Sequence, residues 1–346
     1  MAERITITEI ARLAGVNKST VSRVLSNAES GRIGVKQRNR IMKIVKATNY
    51  CPSLTAQSFA TGKTFKIGII LSSMVSDLSS PPFALLLQEL CDTLQAKGYT
   101  LSLLRGKTED AVISFLKSGV ADAYIIHESM LSPRLVSAFQ ESKLPVIKLG
   151  LSSGNELNTP FTYMYHCYAP AYRDALISLR SEGCREFAFF GVGSNYNSDA
   201  KLSAIRESAR NLSGGPAFAD SIFYAPDVVC FIADRAEAFK AAESNFDRLI
   251  KYKAIFCGSD LIAMGLIDLL RQKGIEPGRD IAIIGHDNIE ENPCLHSKNP
   301  FLSTIDPHYE LMGRLVAEKM LMQFKTDVPP PANVTVNSTF VKRQSS

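Results

Sequence analysis

Lys18, Ser19, Ser22 and Arg23 alternate with Val21, Val24 and Leu25 so that a helix here keeps its polar side chains outward and its aliphatic ones inward. Such an outward face suits the edges of DNA bases. Lys18 and Arg23 can donate to guanine acceptors in the major groove, and Ser19 can add a less selective hydrogen bond. The elements that would hold this helix surround it. Thr8 reads as the N-cap of a preceding helix whose apolar stripe is Ile10, Ala11, Leu13 and Ala14, Gly15 ends that helix, and Asn17 caps the second. Small Ala11 and Gly15 let the two cross closely, as a helix-turn-helix requires. A third helix, with Ile41, Ile44 and Val45 inward and Lys36, Arg38, Arg40 and Lys43 available to phosphates, closes the core. Asn49-Tyr50-Cys51-Pro52 stops it, since Pro52 lacks a donor and holds Cys51 extended. Ser53 then caps a brief helix running to Phe59.

The charge distribution agrees with this assignment. Residues 1–66 carry twelve Lys/Arg against three Asp/Glu, a net +9, while the remainder carries 27 against 31, a net −4. A basic module thus precedes a mildly acidic body, and a polyanion is the partner that the first part calls for. A length of 346 residues implies two or three domains. No apolar run is long enough to span a bilayer, and the first ten residues lack the apolar core of a signal peptide. The seven cysteines are scattered without a C-x-x-C pair, which argues against disulfides or structural zinc and for a reduced, cytoplasmic setting.

From Lys66 the pattern becomes an alternation of strand and helix. Strands are expected at 66–71, 100–104, 122–126, 145–149, 186–190, 254–256 and 280–284, with helices at 85–97, 109–118, 168–181, 200–211, 235–246 and 260–272 between them. Two Rossmann-like halves follow from that order. Gly191-Val192-Gly193 lacks the third glycine of a dinucleotide fingerprint, and no P-loop, Gly-x-Ser-x-Gly elbow or metal-spaced histidine pair occurs. Neither a catalytic set nor a cofactor is predicted. Ligands of open parallel sheets bind beyond the carboxyl ends of the strands. There the sequence supplies Ser72, Ser73, Arg105, His127, Ser194, Ser259, Asp260, His286 and Asp287, a polar collection suited to hydroxyl groups, with Phe83 to cover an apolar ring face. Asp260 reads equally as a ligand contact and as the N-cap of the next helix.

Over nearly its whole length the chain resembles the LacI/GalR family of transcriptional repressors. The resemblance is carried by residues 7–25, by Asn49-Tyr50-x-Pro52 with Ala56-Gln57-Ser58-Phe59, by Phe256-Cys257-Gly258-Ser259-Asp260, and by Gly285-His286-Asp287-Asn288. It implies an all-α helix-turn-helix headpiece on an α/β body of two doubly wound subdomains like the periplasmic binding proteins. It also implies DNA contacts from Thr8, Asn17, Lys18, Ser19, Thr20, Ser22, Arg23, Asn27, Tyr50, Ala56 and Phe59. Residues 53–60 become a hinge helix that orders on DNA in a dimer. An effector site is implied at Phe83, Arg105, His166, Lys201, Phe231, Ser259, Asp260 and Asp287. Several positions depart from the family pattern. Phe59 stands where a leucine wedge is usual, and it either unstacks a base step or packs on the body. Gly34 replaces a capping Ser or Thr, and the turn at 26–31 is about two residues longer than usual. Lys201 stands at an effector-binding Arg, and His166 lies near a sugar-binding Asp. The first removes a planar fork and the second an obligate acceptor, so that a sugar phosphate competes with a neutral sugar as ligand. The chain has no Trp; Phe231 is the candidate for a stacking residue.

These readings combine into domains at 1–52 (headpiece), 53–65 (hinge) and 66–346 (body). The N-subdomain of the body is expected at 66–165 plus 297–325, and the C-subdomain at 166–296 plus 326–346. The expectation is a cytoplasmic, non-enzymatic DNA-binding regulator that binds a small polar metabolite. With no heptad segment after the family's terminal strand, it forms a homodimer on a palindromic operator. The metabolite acts as inducer or as corepressor, and a solute-binding protein without DNA function is the alternative that the basic head disfavours.

Overall fold

The computed structural model describes residues 5–25, 33–51, 53–71, 78–127, 131–150, 161–191, 196–224, 234–291, 297–324 and 333–346, with the backbone alone at 54–56, 60, 196, 197 and 224. Asn27, Pro52, Ser72, Ser73, Ser194 and Phe231 fall outside it, as does the side chain of Ala56. The chain forms two compact units, Met1–Phe65 and Lys66–Ser346.

The first unit is built of helices α1 (Ile7–Ala14), α2 (Lys18–Leu25), α3 (Val35–Ala47) and α4 (Leu54–Thr61). Thr6, rather than Thr8, caps α1: its hydroxyl accepts from the Glu9 N–H at 3.4 Å, and Glu9 three residues on completes a capping-box sequence, leaving Thr8 exposed inside the first turn. Gly15 closes the helix at φ 62°, in the left-handed region that glycine adopts without penalty. Ile10, Ala14, Val21, Val24 and Ile41 are fully buried between the three helices, with Ile44, Val45 and Tyr50 packed at the margin. Leu13, expected inward, is 42% exposed, because Ile7, Ile10, Ala11 and Ala14 already occupy the inward stripe and Leu13 lies on its flank. Gly34 stands at the N-cap of α3 without a side-chain bond.

The second unit holds two six-stranded sheets. The first has the order β11-β5-β4-β3-β1-β2, with β1 (Lys66–Leu71), β2 (Thr100–Arg105), β3 (Ala123–His127), β4 (Val146–Gly150), β5 (Thr162–Cys167) and β11 (Val334–Asn337) all parallel. The second has the order β12-β10-β9-β8-β6-β7. Its strands β6 (Phe187–Phe190), β7 (Phe223–Tyr224), β8 (Ala254–Cys257), β9 (Ala282–His286) and β10 (Ser303–Asp306) run parallel, and β12 (Thr339–Val341) runs antiparallel to β10. The helices that matter below are α5 (Pro81–Gln95), α6 (Glu109–Ser118), α7 (Pro133–Ser142), α8 (Ala169–Ser181), α9 (Tyr196–Arg210), α10 (Gly215–Ser221), α11 (Arg235–Ser244), α12 (Phe246–Leu249), α13 (Asp260–Gln272) and α14 (Tyr309–Gln323).

This topology corrects the expected subdomain boundaries. Residues 303–306 belong to the second sheet and 334–337 to the first, so the chain changes sheets after β5, after β10 and between β11 and β12. Each crossing is short: Pro307 and His308 separate β10 from α14, and Ser338 alone separates β11 from β12. In each sheet the strand order reverses once, between β1 and β3 and between β6 and β8. Those two switch points fix where a ligand crevice opens. The near-continuous burial of β1, β3, β6 and β8 is what helices on both sheet faces demand.

Candidate functional site

In the first unit, α2 starts at the Asn17 carbonyl, which accepts from the N–H groups of Thr20 at 2.9 Å and Val21 at 3.3 Å. With Val21 and Val24 turned into the core, Lys18, Ser19, Ser22 and Arg23 are left exposed, beside exposed Asn17 and half-buried Thr20. The face is polar because the opposite face must be apolar. Tyr50 serves packing: its ring lies against the core, burial raises its phenol pKa, and its N–H donates to the Val45 carbonyl at 3.1 Å. Arg12 is drawn into an ion pair with Glu9 at 2.7 Å, so it is less available to a phosphate than the lysines of α3. In α4, Phe59 is 88% exposed, the most exposed large apolar side chain among the described residues, and Gly62 at φ 68° ends the helix.

In the second unit, a cluster of rings and charges forms at the carboxyl ends of the strands. His127 ends β3 and packs against Phe83 at 4.5 Å between ring centroids. Phe83 reaches that position because Pro81 and Pro82 occupy the first turn of α5, where a missing N–H costs nothing. His166 near the end of β5 lies 5.0 Å from Tyr309 and parallel to Tyr168 at 6.1 Å. Tyr168 meets the ring of His286, the last residue of β9, edge-on at 4.7 Å. The other side of His286 is fixed by Tyr172, whose hydroxyl lies 3.0 Å from Nδ1. Lys201 on α9 is buried, and its ammonium donates to the Gly258 carbonyl beyond β8 at 2.7 Å. Tyr309 donates from its hydroxyl to Asp287, whose backbone stands at φ 113°.

Burial sets the protonation of this cluster. His166 is pushed down to about 4 by desolvation, with Lys201, His308 and His127 adding to the effect and the Pro307 carbonyl opposing it. His286 is driven well below its ordinary value by the same loss of water, with Lys201 and His166 contributing. Both rings are therefore neutral near pH 7, and His166 Nδ1 and His286 Nε2 are buried without a hydrogen-bond partner.

The expected contacts at 259 and 260 are corrected. Ser259 is the N-cap of α13, its hydroxyl accepting from the Ile262 N–H at 3.3 Å. Asp260, 1% exposed, uses both oxygens internally, accepting from Thr304 Oγ1 at 2.6 Å and the Ile289 N–H at 2.8 Å. Desolvation and the charge of Asp287 push its carboxyl up to about 7. Gly285 is required beneath it, since a Cβ there would collide with Asp260 Oδ1. Asp260 thus ties β9, β10 and the turn after β9 together rather than meeting a ligand. Arg105 is exposed at the end of β2, the edge strand, separated from β3 by β1. Of the predicted effector residues, the structure brings together Phe83, His166, Lys201 and Asp287. Tyr168, Tyr172 and Tyr309 were missed, although Tyr168 directly follows a strand and Tyr309 opens a helix, both positions where side chains line a crevice.

A basic three-helix unit with an outward polar helix, followed by a body of two doubly wound sheets, is an architecture suited to a DNA-binding regulator. Comparison with known proteins agrees. Residues 6–53 match the family described as bacterial regulatory proteins, lacI family, and residues 177–346 match the periplasmic binding protein-like domain. The HTH-type transcriptional repressor PurR of Pectobacterium carotovorum is 23% identical over 98% of this chain and 96% of its own length. The HTH-type transcriptional regulator MalR of Clostridium butyricum is 26% identical over 98% of both. Among solved structures, the Lac repressor dimer bound to operator and the anti-inducer ONPF has the same fold, with a TM-score of 0.73 at 19% identity over 99% of each chain. The chain is thus similar to bacterial regulatory proteins of the lacI family in residues 6–53 and to periplasmic binding protein-like domains in residues 177–346.

Proposed function

We propose that this protein is a sequence-specific transcriptional repressor, working as a homodimer on a palindromic operator in the cytoplasm, and that a small polar metabolite held in the crevice of the body controls it. The observation that carries the reading is the exposure of Lys18, Ser19, Ser22 and Arg23 on the second helix of a basic helix-turn-helix unit. Lys18 and Arg23 read bases, Asn17, Thr20 and the lysines and arginines of α3 position the unit on phosphates, and exposed Phe59 acts as a minor-groove wedge. Phe83, His166, Lys201 and Asp287 hold the metabolite. No catalytic step is assigned, and no helix among the described residues is long and apolar enough to cross a membrane.

Control works by linkage: a ligand that favours one arrangement of the body changes operator affinity, and the operator changes ligand affinity by the same factor. The test is a thermal-shift screen of sugars, sugar acids and sugar phosphates on the whole chain, followed by operator binding with each stabilising compound. A compound that raises the melting temperature and changes operator affinity supports the reading. Stabilising compounds that all leave operator affinity unchanged contradict it.

A further inference from the structure

Lys201 is the least expected residue of the crevice. It is only 8% exposed, its ammonium donates to one neutral carbonyl, that of Gly258, and among the described residues no carboxylate pairs with it. A buried cation is tolerated when an anion and full hydrogen bonding compensate for lost water, and one carbonyl does not supply that. The neighbouring groups supply no charge either. His166 and His286 lie close enough to be affected electrostatically by Lys201, and both are held neutral. The two carboxyl groups nearby do not pair with it: Asp260 accepts from Thr304 and the Ile289 N–H, and Asp287 accepts from Tyr309. Beside this cation stand two unpartnered imidazole nitrogens, His166 Nδ1 on a ring 91% buried and His286 Nε2 on a ring fully buried. An imidazole nitrogen meets a hydroxyl in either tautomer, accepting as a lone pair or donating as N–H.

We infer that the ligand of this crevice is a small polyhydroxylated acid, whose carboxylate or phosphate takes the remaining N–H groups of Lys201 and whose hydroxyls meet His166 and His286. This rests on the reading of the crevice as the metabolite site and names the chemical class it selects. A neutral sugar leaves the buried ammonium uncompensated. An acid supplies the missing charge and a charge-assisted hydrogen bond in the same contact. Phe83, stacked on His127, provides an apolar wall for the carbon skeleton.

The test is a titration of the whole chain followed by histidine side-chain NMR, with the five histidine signals assigned through single His→Gln variants. The probes are inorganic phosphate, acetate and the neutral hexoses glucose and galactose, each at matched ionic strength with chloride as the reference. Phosphate or acetate in the tens of millimolar is expected to shift the signals of His166 and His286, and the tighter of the two identifies the head group. Lys201→Met should weaken that binding at least about tenfold while Lys201→Arg retains it. Because the titration reads the unmodified protein, misfolding of a variant does not obscure the answer. If neither anion moves the two signals, or Lys201→Met titrates like the parent, the acid assignment is overturned. Should the neutral hexoses alone move them, the crevice reading stands without the acid; if no probe moves them, neither claim survives.

Discussion

The two units of this chain use polar side chains in opposite ways. In the 65-residue first unit, a handful of buried aliphatic residues hold three short helices, and nearly every charge is left in water on the outside. In the second unit, polar groups are taken inside: neutral histidines, a buried ammonium and a carboxyl held by a hydroxyl and an N–H. Exposed cations suit a large polyanion, because they lose little by leaving water at the moment of contact and displace counterions as they bind. Buried, imperfectly satisfied groups suit a small solute, because each unmet bond becomes a selection criterion. Polar chemistry is thus displayed on a surface in one unit and held inside the fold in the other.

Breaking one unit should leave the other working, and the largest such effect is expected from Ile41→Ala. Truncating this fully buried residue of a small core should cost about 2–5 kcal/mol. Operator binding should vanish while ligand-induced melting shifts of the body persist; parallel loss of both would contradict the separation. Next, Lys18→Ala or Arg23→Ala should each cost about 1–3 kcal/mol of operator affinity and relax base preference at one position, read on a randomised half-site library.

The pH response of the body comes third. His166, with its pKa lowered from 6.5 to about 4, is neutral when folded at pH values where the unfolded chain is protonated, so acid favours unfolding, and His286 acts in the same direction. Asp260, raised from 3.8 to about 7, holds a proton in the folded state and opposes one histidine. Between pH 6 and about 4 the body should therefore lose about 1.4 kcal/mol per pH unit, and Asp260→Asn should roughly double that slope in denaturant titrations. A flat profile, or the parent's slope in the variant, would contradict the buried-neutral assignment. The smallest effect is that of Phe59→Ala: stability should change by less than about 0.5 kcal/mol because the ring is exposed. DNA bending by the complex should nevertheless fall, and equal bending by variant and parent would remove the wedge.

Much of this was legible in the sequence where local rules decide. Helices 109–118 and 260–272 begin and end where caps and turn glycines put them, and the two-sheet body follows from alternation of strand and helix. Errors came where distant contacts decide. Strand β11 has too little hydrophobic pattern to announce itself, and only its pairing with β5 reveals that it belongs to the first sheet. Helix α5 was expected to begin at 85, because the prolines that fill its first turn look like a loop. Asp260 reads in the sequence equally as a ligand contact and as an N-cap, since nothing local shows that Thr304, 44 residues away, bonds its carboxyl. For Lys201 the departure from the family pattern was visible, but the solitude of the ammonium was not, because it depends on burial.

The most direct measurement is selection of duplexes from a fully randomised pool by the whole protein, followed by competition of the winner against random DNA at physiological salt. The account predicts an inverted repeat whose half-sites change when Lys18 or Arg23 is replaced, bound at least about a thousandfold tighter than random sequence. Enrichment of no common sequence, or binding that depends on salt but not on sequence, would contradict it.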